Sequence, residues 1–170
     1  EKVLFVPNTV PGDIVDVQVT RKRKSFLEGF IVNVRKYSDI RTEPFCSHFG
    51  VCGGCKWQNL PYQLQTEFKQ QEIIDNLQRI GKVELQNVAP IIGSPKTTYY
   101  RNKLEYTFCN KRFLTREEIA NDQDINRTPA VGFHVPGLFD KVIDIEKCYL
   151  QAEPSNGVRN FIRELSLIHI

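Results

Sequence analysis

The most informative stretch of the 170-residue chain reads Cys46-Ser47-His48-Phe49-Gly50-Val51-Cys52-Gly53-Gly54-Cys55. Two cysteines separated by two residues can bind one metal, because the turn between them brings both sulfur atoms to the same side. Gly53 and Gly54 permit the positive φ angle that such a turn needs. The spacing back to Cys46 allows a third sulfur atom to join, so the stretch predicts a metal site built from thiolates.

The remaining cysteines decide how such a site could be completed. Cys148, far along the chain, can supply a fourth sulfur atom if the intervening sheet returns to this loop. Four thiolates suit a structural zinc ion or an iron–sulfur cluster, and His48 could replace one cysteine in a zinc site. The spacing leaves zinc, a cluster and unmetallated buried thiols open. Cys109 is predicted to be a small apolar residue in a strand.

The chain before the cysteines alternates between apolar and polar residues, which predicts strands over 3–6, 14–20 and 29–35. In the third strand we expect Phe30, Val32 and Val34 to share one face. Three short antiparallel strands joined by tight turns are typical of a small β-barrel. Because such a barrel usually has about five strands, we expect residues before Glu1 to be missing.

A helix is predicted after the cysteines, from Pro61 in its first turn to a stop at Gly81, with a broad apolar stripe along it. Beyond it we predict strands over 88–92, 103–109, 130–134 and 141–145, a polar surface excursion over 113–128 and a last helix from about residue 153. The pattern predicts an α+β fold in which a partial β-barrel precedes a metal-binding domain with antiparallel strands and one long helix.

Composition and charge narrow the function class. The chain is 41% hydrophobic and 25% charged, which is ordinary for a folded protein and argues against global disorder. No apolar run approaches the roughly 20 residues that span a bilayer. The net charge is only +3, but basic side chains are concentrated at Arg21, Lys22, Arg23 and Lys24 and again around Arg101 and Lys103. Such clusters predict contact with a polyanion, in particular nucleic acid.

The segment from Pro44 to Gln58 resembles the cluster motif of the RNA (uracil-5-)-methyltransferases, which modify 23S rRNA and tRNA. That motif has a cysteine, five residues, Cys-Gly-Gly-Cys and a distant fourth cysteine. Residues 3–7 and 11–13 resemble the end of a TRAM domain, a small RNA-binding β-barrel with an OB-like fold. The resemblance continues through the helix of residues 61–81 and through residues 100–103, 131–134 and 142–148.

The resemblance implies a ligand set and a domain plan. Cys46, Cys52, Cys55 and Cys148 would hold a 4Fe-4S cluster, with Cys109 left out. For the role of the cluster we favour a structural link between the loop of residues 46–55 and the segment of Cys148 over redox chemistry. Residues 1–40 would be a partial TRAM barrel, and residues 41–170 the central cluster-binding domain. Family members also carry an S-adenosylmethionine-binding domain with the catalytic residues; we expect it to be absent from this chain, so no catalytic or cofactor-binding residue is assigned.

The predicted function is the RNA-recognition and cluster-bearing part of an S-adenosylmethionine-dependent RNA uracil-C5 methyltransferase, with 23S rRNA as substrate because of the TRAM-like start. The alternative is a non-catalytic RNA-binding module with a structural zinc site of four cysteines. The protein is expected to be a cytoplasmic monomer without membrane contact. The predicted RNA contacts are Arg21, Lys22, Arg23, Lys24, Arg101 and Lys103.

Overall fold

The computed structural model describes residues 2–121 and 128–169, which form two compact units that are each discontinuous in sequence. The first unit comprises Glu1–Pro44 and Trp57–Gly93, and the second comprises Phe45–Lys56 and Ser94–Ile170. Each unit contains a small sheet and a helix, which confirms the mixed α and β composition. A domain boundary near residue 40 stays a prediction. No helix in the described part of the chain combines the length and the apolar character that crossing a membrane requires.

Strands β1 (Val3–Phe5), β2 (Ile14–Lys22) and β3 (Phe26–Lys36) form the sheet of the first unit in the order β1-β3-β2. β2 and β3 are antiparallel, as expected, but β1 runs parallel to β3, so the prediction of three antiparallel strands is wrong. The segment 6–13 is too long for a tight hairpin and carries the chain past β3 to its other edge. Over the described residues this sheet is open and does not close into a barrel.

The register between β2 and β3 shifts at three places, and such bulges increase the twist of a sheet. One shift lies opposite the pair Asp16 and Val17, next to Val32. Alternation is therefore broken in β3: Phe30 and Val32 are exposed, whereas Val34 is half-buried. The expectation that these three residues share one face is wrong, because an extra residue in a strand reverses the faces that follow it.

The turn between β1 and β2 is tied to the end of β3 by Asp13. Its carboxylate accepts hydrogen bonds from the backbone N–H groups of Val10 (2.7 Å) and Ser38 (2.9 Å). It also receives two from the Arg41 guanidinium, at 2.8 Å from Nε and 2.5 Å from Nη2. The Arg41 charge and these hydrogen bonds hold the pKa of Asp13 well below its usual range.

The predicted helix of residues 61–80 is present as α1 (Tyr62–Asp75), continued by a π-helical turn over Asn76–Ile80. None of its described residues is buried, so its apolar stripe does not form a core inside this unit. The strand predicted over 88–92 is absent. Backbone groups of this segment form hydrogen bonds with the side chain of Gln70 instead of with a neighbouring strand. Nε2 donates to the Ala89 carbonyl (3.1 Å), and Oε1 accepts from the Ile91 N–H (2.9 Å).

The second unit has an antiparallel sheet in the order β4-β5-β6, formed by Thr107–Cys109, Ala130–His134 and Val142–Asp144. Helix α2 spans Arg116–Ala120, and α3 spans Glu153–His169 and packs against β5. The predicted polar excursion contains α2, and residues 122–127 of it lie outside the described residues. The core of the unit includes Ala130, Val131, Val142 and Ile145.

The strand predicted over 103–109 is shorter than expected, since the pairing with β5 is confined to Thr107–Cys109. The N–H groups of Tyr99 and Arg101 donate to the carbonyls of Tyr149 (2.7 Å) and Leu150 (2.9 Å). The sheet is thereby connected to the segment that carries Cys148, the fourth cysteine of the predicted set.

Candidate metal centre

The cysteine loop is a series of tight turns closed by its own backbone. The Cys46 carbonyl accepts from the N–H of Phe49 (3.0 Å), and the His48 carbonyl accepts from the N–H of Cys52 (2.9 Å). The Gly54 N–H donates to Cys52 Sγ at 3.3 Å, a bond that favours a sulfur atom carrying negative charge. This folding brings Cys52 back beside the start of the loop.

Gly53 is required in the loop for a different reason from the one predicted. Positive φ angles occur at Gly12, Gly50 and Gly137 among the described glycines, and not at Gly53 or Gly54. A Cβ atom on Gly53 would lie 2.9 Å from the His134 carbonyl oxygen. Gly53 therefore allows close approach of the loop to the end of β5, and the prediction of a positive φ there is wrong.

The four predicted ligands come together in the second unit. Cys148 is buried with Ile145 and Leu150, and Cys52 and Cys55 pack against this cluster. The thiols of Cys46, Cys55 and Cys148 all act electrostatically on Cys52. The loop and the segment after β6, which are distant in sequence, thus lie close to each other in the second unit.

Burial dominates the electrostatics of this place. It raises the pKa of the Cys52 thiol to about 11, and the neighbouring thiols raise it further, whereas the Gly54 N–H lowers it. A thiol in such surroundings ionises when a bound metal supplies the compensating positive charge. The donor set is soft, sulfur-only and walled by apolar side chains, and these properties fit an iron–sulfur cluster.

The spacing of the described side chains does not suit a single metal ion. Within residues 2–121 and 128–169 no group of three or more His, Cys, Asp or Glu side chains has the spacing that holds one metal ion. In a four-iron cluster each thiolate binds its own iron, so the four sulfur atoms do not have to converge on one point. His48, the alternative zinc ligand, has Nδ1 3.9 Å from Cys46 Sγ and 3.4 Å from Ser47 Oγ.

Residues of helix α3 hold the backbone of Cys148. Asn156 brackets it: Oδ1 accepts from the Cys148 N–H (2.8 Å), and Nδ2 donates to the Cys148 carbonyl (3.0 Å). Arg159 Nη1 donates to the same Oδ1 at 3.0 Å, and its Nη2 donates to the Glu146 carbonyl. Asn156 and Arg159 are each 4% exposed. The fourth cysteine is thus fixed by polar side chains and by core packing together.

Tyr106 completes the surroundings. Its ring lies 4.9 Å from that of Phe133, and the Arg159 guanidinium lies 5.0 Å from its centroid. Burial and a hydrogen bond with Cys148 raise the pKa of its hydroxyl to about 12. Sequence reasoning missed Tyr106, Asn156 and Arg159 as parts of this site. A signal existed, since Asn156 and Arg159 lie three residues apart on one face of a predicted helix.

The thiol of Cys109 forms a hydrogen bond of its own, separate from the four predicted ligand cysteines. It ends β4, and its thiol donates to the Lys111 carbonyl at 3.1 Å. Its exclusion from the ligand set stays a prediction.

The first predicted RNA surface surrounds the turn between β2 and β3. Arg21, Lys22, Arg23 and Lys24 are all exposed, and the turn is closed by the Arg23 N–H on the Phe26 carbonyl (2.9 Å). Arg21 lies 3.4 Å from Glu28. Phe5, itself exposed, packs edge-on against Phe26 with ring centroids 5.6 Å apart. Exposed cations beside an exposed aromatic ring can contact both phosphates and bases.

The second predicted RNA surface is weaker in charge. Arg101 and Lys103 are both exposed, but Lys103 Nζ lies 2.7 Å from Glu105. Part of its positive charge is therefore already neutralised. Tyr100, next to Arg101, is 52% exposed and offers a ring for stacking.

The chain is similar to known RNA methyltransferases and contains a recognised domain. Residues 1–32 match the TRAM domain. An RNA methyltransferase of Bacteroides thetaiotaomicron is 53% identical over 98% of this chain and 37% of its own length. A 23S rRNA (uracil(1939)-C(5))-methyltransferase of Legionella pneumophila is 33% identical, over 92% of this chain and 38% of its own length. The chain spans about a third of the length of the curated relatives it matches.

A solved structure supports the same relationship. The chain resembles the tRNA (uracil-54, C5)-methyltransferase of Pyrococcus abyssi, determined in complex with S-adenosyl-L-homocysteine, with a TM-score of 0.53 and 25% identity. The match covers 95% of this chain and 31% of that protein. Together these matches confirm the predicted resemblance to RNA methyltransferases and the predicted TRAM domain.

Proposed function

We propose, on the premise that this chain is homologous to RNA methyltransferases over nearly its whole length, that it forms the RNA-recognition and 4Fe-4S-bearing part of an RNA uracil-C5 methyltransferase. The whole protein would transfer a methyl group from S-adenosylmethionine to C5 of a uracil, with 23S rRNA as the expected substrate. In this chain we assign no catalytic residue.

The observation that carries this proposal is the meeting of Cys46, Cys52, Cys55 and Cys148 in one unit, within a chain so similar to named RNA methyltransferases. One buried thiol and three half-buried thiols beside apolar side chains suit a resident metal group better than a solvent-exchanging one. When bound, the cluster would supply a rigid link between the loop and the segment after β6. The residues that would hold it are the same four cysteines.

RNA binding is supported by the TRAM match and by the charge of the β2–β3 turn. Arg21, Lys22, Arg23 and Lys24 are exposed on a domain of a known RNA-binding type. Cations at such a turn contact phosphates and so position the RNA, whereas an aromatic ring such as Phe5 can stack on an unpaired base. The choice of 23S rRNA as substrate follows the relative from Legionella pneumophila, which is a 23S rRNA methyltransferase. The structural neighbour from Pyrococcus abyssi is a tRNA methyltransferase, so tRNA is the competing substrate.

Methyl transfer is tested with the full-length natural protein and S-adenosylmethionine labelled in its methyl group. We expect label in an unmodified 23S rRNA transcript and little in a tRNA transcript. Label in tRNA alone would overturn the substrate assignment. Absence of label from both RNAs, with folded protein, would contradict the enzymatic function and favour the non-catalytic RNA-binding module.

The cluster is tested on protein purified without oxygen. We expect absorbance near about 400 nm together with about four iron and four sulfide ions per chain. Stoichiometric zinc without iron under the same conditions would replace the cluster by a structural zinc site of four cysteines.

A further inference from the structure

Arg159 is a buried positive charge for which residues 2–121 and 128–169 supply no negative partner. It lies in α3 with 4% of its surface exposed. Within the described part of the chain its guanidinium donates only to neutral oxygen atoms. These atoms are the Tyr106 hydroxyl, the side-chain amide oxygens of Asn156 and Asn160, and the Glu146 carbonyl.

Among the described residues no carboxylate forms an ion pair with Arg159, and its Nε has no hydrogen-bond partner. Arg163, one turn further along α3, has its charge compensated in the usual way, by an ion pair with Asp144. An isolated buried charge is strongly unfavourable, and a guanidinium does not lose its proton in proteins. The arrangement around Arg159 therefore calls for an anion that the described side chains do not supply.

Two short routes lead from Arg159 to Cys148. Along the first, Asn156 Oδ1 is shared, at 3.0 Å from Arg159 Nη1 and 2.8 Å from the Cys148 backbone nitrogen. Along the second, the Tyr106 hydroxyl lies 3.4 Å from Arg159 Nη1 and is hydrogen-bonded to Cys148. One neutral residue thus separates the guanidinium from the fourth cysteine on either route.

We propose that Arg159 is the counter-cation of the four-cysteine centre and positions Cys148 through Asn156. This rests on the cluster of the proposed function. Four thiolates make the loaded centre an anion, and net charge is one of the properties that set the reduction potential of a cluster. The buried cation and the buried anion then compensate each other, and each is unfavourable alone.

The role of Arg159 is electrostatic as well as structural. A positive charge close to the cluster favours the reduced form, which carries one more negative charge than the oxidised form. Removing the charge should therefore move the midpoint potential to more negative values. A residue that acted only by filling space would leave the potential unchanged.

The test uses the full-length natural protein, purified without oxygen, with Arg159→Gln, Arg159→Lys and the control Arg163→Gln. Iron and sulfide content and the cluster midpoint potential, followed by electron paramagnetic resonance during reductive titration, are measured for each. We expect Arg159→Gln to lower the potential and the cluster content, and Arg159→Lys to restore most of both. Arg163→Gln removes an equal charge from the same helix, one turn further from Asn156, and should shift the potential much less.

The outcomes separate this inference from the proposed function. A wild-type cluster together with an unchanged potential in Arg159→Gln would overturn the inference and leave the cluster assignment intact. An equal shift in Arg163→Gln would also overturn it, because the effect would then reflect net charge alone. A wild-type protein that binds no metal would overturn both, since no anion would be there for Arg159 to compensate. Arg159→Gln could prove too unstable to bind the cluster. In that case Arg159→Lys decides, because it keeps the positive charge: loss of the cluster in this variant as well would refute a role for the charge.

Discussion

Asp13 joins the turn before β2 to the chain after β3. Its side chain is 1% exposed, and its four hydrogen bonds come from two backbone N–H groups and from the Arg41 guanidinium. The carboxylate thereby connects residues 28 positions apart in sequence, one before β2 and one after β3. Hydrogen bonds from a charged donor are the strongest of these, which makes the carboxylate form itself part of the fold.

We predict that Asp13→Asn lowers the free energy of unfolding by about 2 kcal/mol at neutral pH, because an amide cannot accept all four bonds. The native pKa is depressed, so the contribution of Asp13 is complete above about pH 4 and is lost as the pH falls below that. Urea unfolding at several pH values checks this: the gap between wild type and variant should narrow on acidification.

The matched control for that experiment is Asp140→Asn. Asp140 also has a lowered pKa, caused by Lys141, but it is fully exposed. Its substitution should change stability little at any pH, since exposed pairs are screened by solvent. If the difference in unfolding free energy between wild type and Asp13→Asn stayed constant down to acid pH, the ionised Asp13 carboxylate would not be the stabilising group.

At the same scale, the five cysteines should divide into four ligands and one bystander. We predict that Cys148→Ser abolishes the cluster, because the hydroxyl is a poor ligand for iron and the site is buried. Cys109→Ser should retain it, since its thiol is bonded to the Lys111 carbonyl. Iron content after anaerobic purification decides; cluster loss in Cys109→Ser would show that the ligand set is wrong.

Among the elements, the cysteine loop packs closely against the end of β5. Its approach to the end of β5 leaves no space for a side chain at Gly53, where a Cβ atom would lie 2.9 Å from the backbone carbonyl of His134. Backbone atoms move less easily than the end of a flexible side chain. The loop is thus held against the sheet even before the sulfur atoms bind a metal.

We predict that Gly53→Ala lowers both the melting temperature and the cluster content, because the loop must move away from β5. The control is Gly157→Ala in α3, where the added methyl group meets no atom within 4 Å. That change should stabilise the helix by about 0.5–1 kcal/mol, as alanine does relative to glycine. Circular dichroism melting of both variants checks the contrast; equal effects would refute it.

The β2–β3 turn is the element that should contact RNA. We predict that Arg23→Glu combined with Lys24→Glu weakens RNA binding and reduces the slope of log affinity against log salt by about 1–2. Lys36→Glu, in the same sheet but at the opposite end of β3, is the control and should leave the slope almost unchanged. Filter binding over a range of salt concentrations provides the measurement. A slope unaffected by the double variant would exclude this turn as a phosphate contact.

At the scale of the whole molecule, both compact units are discontinuous in sequence. Residues 45–56 leave the first unit, join the second, and contribute three of the four predicted ligands. A cluster held by this loop and by Cys148 would link distant segments of the second unit. Such a link forms when the chain is folded, so it adds to the stability of the native state.

Removal of the cluster should therefore lower the melting temperature of the protein. A ligand bound only by the native state adds to its stability, and its loss has the opposite effect. Calorimetry before and after anaerobic treatment with a chelator and an oxidant measures the change. The same treatment of Cys148→Ser, which has no cluster to lose, should have no effect. A melting temperature unchanged in the wild type would contradict the structural role of the cluster.

Much of this molecule follows from its sequence. Alternation and turn residues predicted β2, β5 and the start of α3, since these depend on neighbours in the chain. The spacing of Cys46, Cys52 and Cys55 indicated thiolate chemistry for the same reason. The motif of residues 44–58 also indicated the resemblance to RNA methyltransferases, because it consists of residues close together in sequence.

Other features were decided by the tertiary structure. The parallel pairing of β1, the loss of the strand at 88–92 and the close fit of Gly53 against β5 each depend on a partner distant in sequence. The buried cation Arg159 belongs with them, because an arginine in an amphipathic helix is ordinarily exposed. Local periodicity carries no information on which distant atom satisfies a buried charge or a backbone N–H. Only the folded chain brings those atoms together.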